Sequence, residues 1–391
     1  MRIAYVNHGR FPTEKAHGFQ IAQVCDALTH LGHDVTLLNP TFQNSVTVSA
    51  QEHYGLRHPV RSQPLEHFDA FQSPIVPGFL GFIVSMISYA KSVQAYLREH
   101  RFDVLYLRSP LLLQAVLQSG MPVIMELHAL PRYMRRRFVR RCNQCEKIIC
   151  LTVPMRDELV EWGVHAEKVM VEADGVDLRR FEHLPEVITA KKKWNLPVDR
   201  SVIGYVGSLA TRETLEKGVR EMLNAAAETT ASPLRLFWIV GGPEKWRSIY
   251  QNYAYSLGLD DREVRFQGRI DAADVPSAIA ACDICVYPAP KTDHPYFMRD
   301  TSPLKLFEYL AAGRPVVCAD IPPVRDVVSE KSVKFFRAGD AADLARAIKD
   351  VLDHPEVASV RAEEGKRIVQ EYSWEKRMRR ILQSVSGILK P

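Results

Sequence analysis

Short β-branched apolar runs alternate with helical patterns from one end of the chain to the other. The first half predicts strands at Arg2–Val6, Asp34–Leu38, Asp103–Leu107, Pro122–Met125 and Lys147–Leu151. The second half predicts them at Val202–Val206, Arg235–Val240, Val264–Gln267, Asp283–Tyr287, Pro315–Ala319 and Val333–Phe336. Strands that are apolar on both faces and separated by helices belong to parallel sheets covered on both sides. After the first strand, Ile21, Val24, Cys25, Leu28 and Leu31 fall on one helical stripe, which Gly32 stops. Strand patterning lapses between Val171 and Arg200, and a second α/β series begins at Ser201. From Ser373 to Leu389 a basic amphipathic helix carries Trp374, Met378, Ile381, Leu382 and Val385 on its apolar side.

This pattern predicts two doubly wound α/β domains over residues 1–172 and 173–372. The helix at 373–391 is expected to cross back to the first. Two such domains facing each other place a ligand cleft between the carboxyl ends of their strands. A length of 391 residues, too much for one hydrophobic core, agrees with the division. The 51 Lys+Arg against 46 Asp+Glu give a net charge of +5, mild enough that no nucleic-acid partner is expected.

The cysteines and the apolar runs exclude further classes. Seven cysteines in so large a chain read as reduced thiols of a cytoplasmic protein. Two pairs have CxxC spacing, Cys142/Cys145 and Cys282/Cys285. The first lies on an arginine-rich helix, and the second reads as a buried strand whose i and i+3 positions face opposite ways. Neither makes a zinc site, and no metal is expected. No apolar stretch suited to a signal peptide opens the chain. The most apolar run, from Gly78 to Ala90, has 13 residues, too few to span a bilayer, and reads as a buried core helix. No GxGxxG follows the first strand, which argues against a dinucleotide oxidoreductase.

Candidate chemistry centres on residues 300–317, DTSPLKLFEYLAAGRPVV. Thr301 or Ser302 is placed to cap a helix, with Pro303 in its first turn, Gly313 after its end and Pro315 opening the next strand. The amino end of such a helix offers free N–H groups and a positive dipole to a phosphate. Asp300 precedes the helix, and Glu308 lies about two turns into it between Phe307 and Tyr309, where a carboxylate needs partners. His128, in PVIMELHALP, stands just past the carboxyl end of a strand, beside Glu126 on the same face.

The two acids eight positions apart, with a small-residue turn into PVV, resemble the Glu-x7-Glu signature of the retaining GT-B glycosyltransferases of family 4. Asp300 stands in the first acidic position. His17-Gly18 followed by QIAQVCDALTHLGHDVTLL resembles that family's opening segment, and ADGVDLRRF from Ala173 resembles its domain-junction element, with Asp174 in place of asparagine. Val206-Gly-Ser-Leu209 and Lys217-Gly218 resemble the start of the second domain, where a basic pair grips the donor diphosphate. Ser208 replaces the usual arginine, so Arg212 is the expected substitute. Val240-Gly-Gly-Pro243 and Phe266-Gln-Gly-Arg-Ile270 resemble segments that flank the nucleotide base.

The resemblance implies a GT-B fold and a metal-independent, retaining, hexosyltransferase-like enzyme using a nucleotide diphosphate sugar and no cofactor. It implies that Lys217, Arg212 and the helix start at Thr301–Ser302 stabilise the leaving diphosphate, and that Glu308 binds the ribose hydroxyls. Asp300 and His128 would hold the donor sugar, giving His128, Lys217 and Asp300 as catalytic residues. Gly18, Ser208, Gly241, Gly242, Arg269 and Ile270 would complete the donor site. The same two-domain plan also serves sugar-nucleotide 2-epimerases and non-catalytic nucleotide-binding proteins, and product analysis separates the three.

The acceptor is expected to be a glycan, a lipid-linked sugar or a small molecule. From Arg132 to Arg141 six arginines fall within ten residues, interleaved with Tyr133, Met134, Phe138 and Val139 and without an acid. Such a helix is a candidate for an anionic membrane surface, which would make the protein peripheral at the inner face of the membrane.

Overall fold

The computed structural model describes residues 1–44, 46–70, 78–211, 214–228 and 235–387. Within these residues the chain forms two compact units. One comprises Met1–Asp174 together with Trp374–Pro391, and the other Gly175–Ser373.

The first unit has a seven-stranded parallel sheet of β1 (Arg2–Val6), β2 (Asp34–Pro40), β3 (Ser62–Leu65), β4 (Val104–Leu107), β5 (Val123–Leu127), β6 (Lys147–Cys150) and β7 (Val169–Val171). Their spatial order is β3-β2-β1-β4-β5-β6-β7. The helices are α1 (Ala16–His30), α2 (Ala50–Tyr54), α3 (Gly78–Glu99), α4 (Leu113–Leu117), α5 (Arg135–Cys142) and α6 (Val153–Glu161). Tyr89, Val93 and Leu97 of α3, Leu113 and Val116 of α4, Phe138 and Cys142 of α5 and Met155 and Leu159 of α6 share one hydrophobic core with the sheet. These four helices therefore tile one face, as right-handed crossovers in a single direction require. Thr152 caps α6, its hydroxyl accepting from the Met155 N–H at 3.2 Å, with Pro154 in the first turn.

The second unit contains α7 (Val187–Lys193), β8 (Ser201–Val206), a short antiparallel ribbon of β9 (Ala210–Thr211) and β10 (Leu215–Glu216), α8 (Val219–Glu228), β11 (Arg235–Val240), α9 (Glu244–Ser256), β12 (Val264–Gln267), α10 (Val275–Ala280), β13 (Ile284–Tyr287), α11 (Leu304–Ala311), β14 (Val316–Asp320), α12 (Pro322–Arg325), β15 (Lys334–Arg337), α13 (Ala341–Asp353) and α14 (Pro355–Val369). Its parallel sheet runs β12-β11-β8-β13-β14-β15, the doubly wound order whose direction reverses between β8 and β13. The last helix, α15 (Trp374–Ser386), belongs to the first unit. There Trp374, Met378, Ile381, Leu382 and Val385 are buried, as the apolar stripe predicts, and so is Arg377.

All eleven predicted strands form. Two edge strands were not legible: β3 (SQPL) is polar and contains Pro64, and β7 has only three residues. Leu389 and Arg212 lie outside the described residues.

Three local expectations need correction. Cys282 is not in a strand. It follows α10 in a turn before β13, so strand alternation does not separate it from Cys285, and its thiol donates to the Ala278 carbonyl at 3.4 Å. All seven cysteines are buried and free. The apolar run from Gly78 is not buried throughout: Phe79, Leu80, Ile83, Val84 and Ile87 of α3 are exposed, while Met86, Tyr89, Val93 and Leu97 face the sheet. No described helix is long and apolar enough to cross a membrane. The helix after Asp300 begins at Leu304, with Pro303 at its cap position and no side chain capping it. Its far end is as expected, with Gly313 at φ +64° just past Ala312.

Candidate active site

In the second unit most candidate residues converge on the carboxyl ends of the strands. Gly207 and Ser208 follow β8, Gly241 and Gly242 follow β11, and Arg269 and Ile270 lie just beyond β12. Gly241, at φ +150°, admits no side chain, because a Cβ there would lie 1.9 Å from the Gly207 carbonyl oxygen. Ser208 is exposed, and its hydroxyl donates to the Ala210 carbonyl at 2.6 Å.

Two lysines lie at this strand-end region. Lys217 leads into Gly218 (φ +83°), where a Cβ would come within 2.7 Å of the Ala289 backbone nitrogen. The Lys217 ammonium donates to the Tyr296 hydroxyl and stands 4.5 Å from the centre of that ring. Burial pulls its pKa down to about 8. Lys305, in the first turn of α11, lies across Gly207, where a Cβ would come within 2.1 Å of its Cδ. Burial, and then the charge of Lys217, pull Lys305 down to about 7. Neither lysine has a carboxylate within ion-pair distance among the described residues. The sequence reading passed over Lys305 as one more helix residue. The available signal was its place in the first turn of a helix already assigned to phosphate.

Around α11, a single wide helical turn, Tyr296–Asp300, leads into the helix, and Thr301 is buried. Asp300 is held by its neighbour Arg299, with Nε to Oδ1 at 2.6 Å and Nη2 to Oδ2 at 3.1 Å. Burial raises the Glu308 carboxyl above its ordinary range, partly offset by Arg180, whose Nη1 is 3.5 Å from Oε1. Arg180 follows the DGVD segment and also donates to the Ala272 carbonyl, a second basic residue that the sequence reading missed.

In the first unit, His128 follows β5 and its Nε2 lies 2.6 Å from Oε1 of the buried Glu126. Burial alone would raise the Glu126 carboxyl. Arg377 at 3.1 Å, His128 and the Tyr106 hydroxyl instead hold it well below the usual carboxylate range. Since that carboxylate can only accept, the imidazole donates from Nε2. Gln20 donates to the same Oε1 at 2.7 Å, and Arg377 also donates to the Ala173 carbonyl at 2.7 Å. Glu126, His128 and Asp174 each offer an atom within 4.8 Å of one another, but Arg377 already neutralises the most buried of these acids. Gly18 falls within α1, and the space beside it is filled, a Cβ meeting the Tyr54 hydroxyl at 2.3 Å and Thr13 Cγ2 at 2.5 Å.

Two α/β domains, each with a parallel sheet, agree with a GT-B architecture, and comparison with known proteins supports it. The model of the "Glycosyltransferase Family 4" domain matches residues 18–180, and that of "Glycosyl transferases group 1" matches residues 200–354. The chain belongs to this glycosyltransferase family.

Among curated relatives, it is 31% identical over 198 residues to the 2-deoxystreptamine glucosyltransferase of Streptomyces kanamyceticus, covering 50% of this chain and 48% of that protein. It is 26% identical over 226 residues to the alpha-monoglucosyldiacylglycerol synthase of Streptococcus pneumoniae, covering 56% and 47%. The matches thus span about half the length of these relatives. Among solved structures, Anabaena Alr3699/HepE in complex with UDP superposes with a TM-score of 0.75 at 17% identity, over 99% of this chain and 100% of that one. That likeness establishes the fold.

Proposed function

We propose that the protein transfers a sugar from a nucleotide diphosphate sugar to an acceptor hydroxyl, with retention at the anomeric carbon. The observation that carries this reading is the pair of lysines, Lys217 and Lys305, at the strand ends of the second unit. Two neighbouring ammonium groups, each with a depressed pKa and no carboxylate within ion-pair distance among the described residues, are costly until an anion arrives, the nearby Glu308 offsetting only part of the cost at Lys305. A diphosphate supplies that anion. As the glycosidic bond breaks, negative charge grows on the leaving diphosphate, and fixed cations favour that state over the ground state. The two lysines supply this charge without a metal ion.

Lys305 thereby takes the part that Ser208 leaves open and that Arg212 was expected to fill. Glu308, steadied by Arg180, accepts from the ribose hydroxyls. Asp300 holds the donor sugar, and Gly241, Gly242, Arg269 and Ile270 border the base. The complex of the Anabaena neighbour makes UDP the first nucleotide to test.

The acceptor side carries an apolar and basic face in the first unit. Phe79, at 75% exposure, Leu80, Ile83 and Ile87 of α3 stand on the sheet face that α5 also covers, and Tyr133 at the start of α5 is 82% exposed. With the arginines from Arg132 to Arg141, this chemistry complements an anionic bilayer at its cytoplasmic face.

The test is thermal stabilisation by UDP, GDP and ADP and their sugar conjugates in the presence of chelator, followed by product analysis. One stabilising nucleotide, and a new glycoside from its sugar conjugate, support the reading. An epimerised donor, or no response to any nucleotide, overturns it.

A further inference from the structure

The carboxyl ends of β1 and β4 hold a second basic cluster, at the point where the strand order of the first unit reverses. These strands are neighbours in register, Val6 opposite Leu107. His8 leaves the end of the first and Arg108 the end of the second. His17 lies in the first turn of α1, with its Nε2 3.6 Å from where a Gly9 Cβ would stand, so its ring covers the loop after β1. That loop is shaped by Asn7, whose side chain donates to the Gly9 carbonyl at 2.6 Å and accepts from its N–H at 3.1 Å.

None of the three basic side chains has a hydrogen bond or an ion pair among the described residues, and the Arg108 Nε is buried without a partner. An orphaned buried guanidinium nitrogen is rare in a folded protein and calls for a partner. The nearby acid, Glu14, is taken by Arg10 at 2.8 Å, and Glu126 is taken by Arg377. The first turn of α1 contains no acid, so its positive end is uncompensated.

We propose that His8, His17 and Arg108 form an anion subsite in the first unit that binds a phosphate group carried by the acceptor. The proposal rests on the transferase reading, in which the donor diphosphate occupies Lys217 and Lys305 of the other unit and leaves this cluster for a different anion. Arg108 provides the planar, fixed donors that suit phosphate oxygens. The imidazoles add two donors that need not carry charge while the subsite is empty. Burial and Arg108 pull both down to about 4, with His8 and Lys15 adding to the effect on His17 and Glu14 opposing it. The subsite thus holds one permanent charge when empty and gains more when a dianion draws protons onto the rings. An acceptor of this kind comes from a reaction that phosphorylates a sugar or polyol, or that joins one to a lipid through a phosphodiester.

Calorimetric titration of the whole protein with inorganic phosphate, in the absence and presence of saturating UDP, tests the assignment. With UDP filling the lysine site, phosphate should still bind the wild type, and bind Arg108→Met and His17→Gln at least tenfold more weakly. Arg108→Lys should recover part of the loss. UDP affinity should be unchanged in all three variants, and its absence from the wild type would count against the donor reading alone. Loss of all phosphate binding when UDP is present would assign the cluster to the donor and overturn the proposal, as would equal phosphate binding in its presence by the wild type and both weakened variants. His17→Gln keeps the test open if Arg108→Met does not fold. Parallel titrations with hexose phosphates and with phosphatidic-acid vesicles then distinguish a soluble acceptor from a lipid one.

Discussion

At the scale of single residues, the two lysines and one glycine show how neighbours decide what a side chain does. Lys217→Ala removes a charge that matters most in the transition state. It should lower kcat/KM by about 3 kcal/mol, measured in a steady-state transfer assay. Lys305→Met should do the same to within a factor of a few, and normal turnover in that variant would remove Lys305 from the site. The lysines also fix a pH dependence. In the free protein they titrate at about 8 and about 7, and a bound diphosphate raises both, so binding takes up protons. Nucleotide affinity should therefore be highest below about pH 7 and fall as pH rises through 7 to 8, where the free ammonium groups are lost. Gly18 presents the opposite balance. Alanine would add about 1 kcal/mol of helix propensity, but its Cβ would meet the buried Tyr54 hydroxyl at 2.3 Å. Overpacking should win, with Gly18→Ala destabilising by about 1–3 kcal/mol in chemical denaturation.

At the scale of elements, α15 and α3 separate pattern from context. The apolar stripe of α15 was plain, yet its most consequential residue is Arg377, which reads as one of several basic positions. Only its partners show that it is the counter-ion of Glu126 and ties the backbone at Ala173 to the carboxylate that orients His128. Removing one side of a buried ion pair strands the other, so Glu126→Gln should cost about 3–5 kcal/mol of stability by denaturant titration. On α3, periodicity alone gives an apolar helix without saying which side meets solvent. If the exposed side docks on lipid, the double variant Leu80→Glu and Ile87→Glu should lose co-sedimentation with anionic vesicles while keeping the wild-type melting temperature. Unchanged sedimentation would separate this face from membrane binding.

At the scale of the whole molecule, much was legible in the sequence. Buried parallel strands need continuous apolar runs, and crossover helices need an apolar stripe, so the chain declares two α/β series and all eleven of their main strands. Motif spacing then identified the glycosyltransferase family, together with the strand ends and the helix around which the donor site is proposed. Edge strands escaped because half-exposed, three- or four-residue segments carry no such pattern. Lys305, Arg180, Arg377 and Arg108 escaped for a different reason. A basic side chain looks the same in sequence whether it is solvated, paired with a buried carboxylate or left beside another cation. Its role depends on desolvation and on which charges lie within a few ångströms, and residues far apart in sequence set both: Lys217 beside Lys305, and Glu126 beside Arg377. The order of hydrophobic and polar positions along the chain determined the architecture, because burial acts on each segment as it stands. The electrostatics of the sites were decided only in three dimensions, because Coulomb energy and dielectric depend on distances that only folding creates.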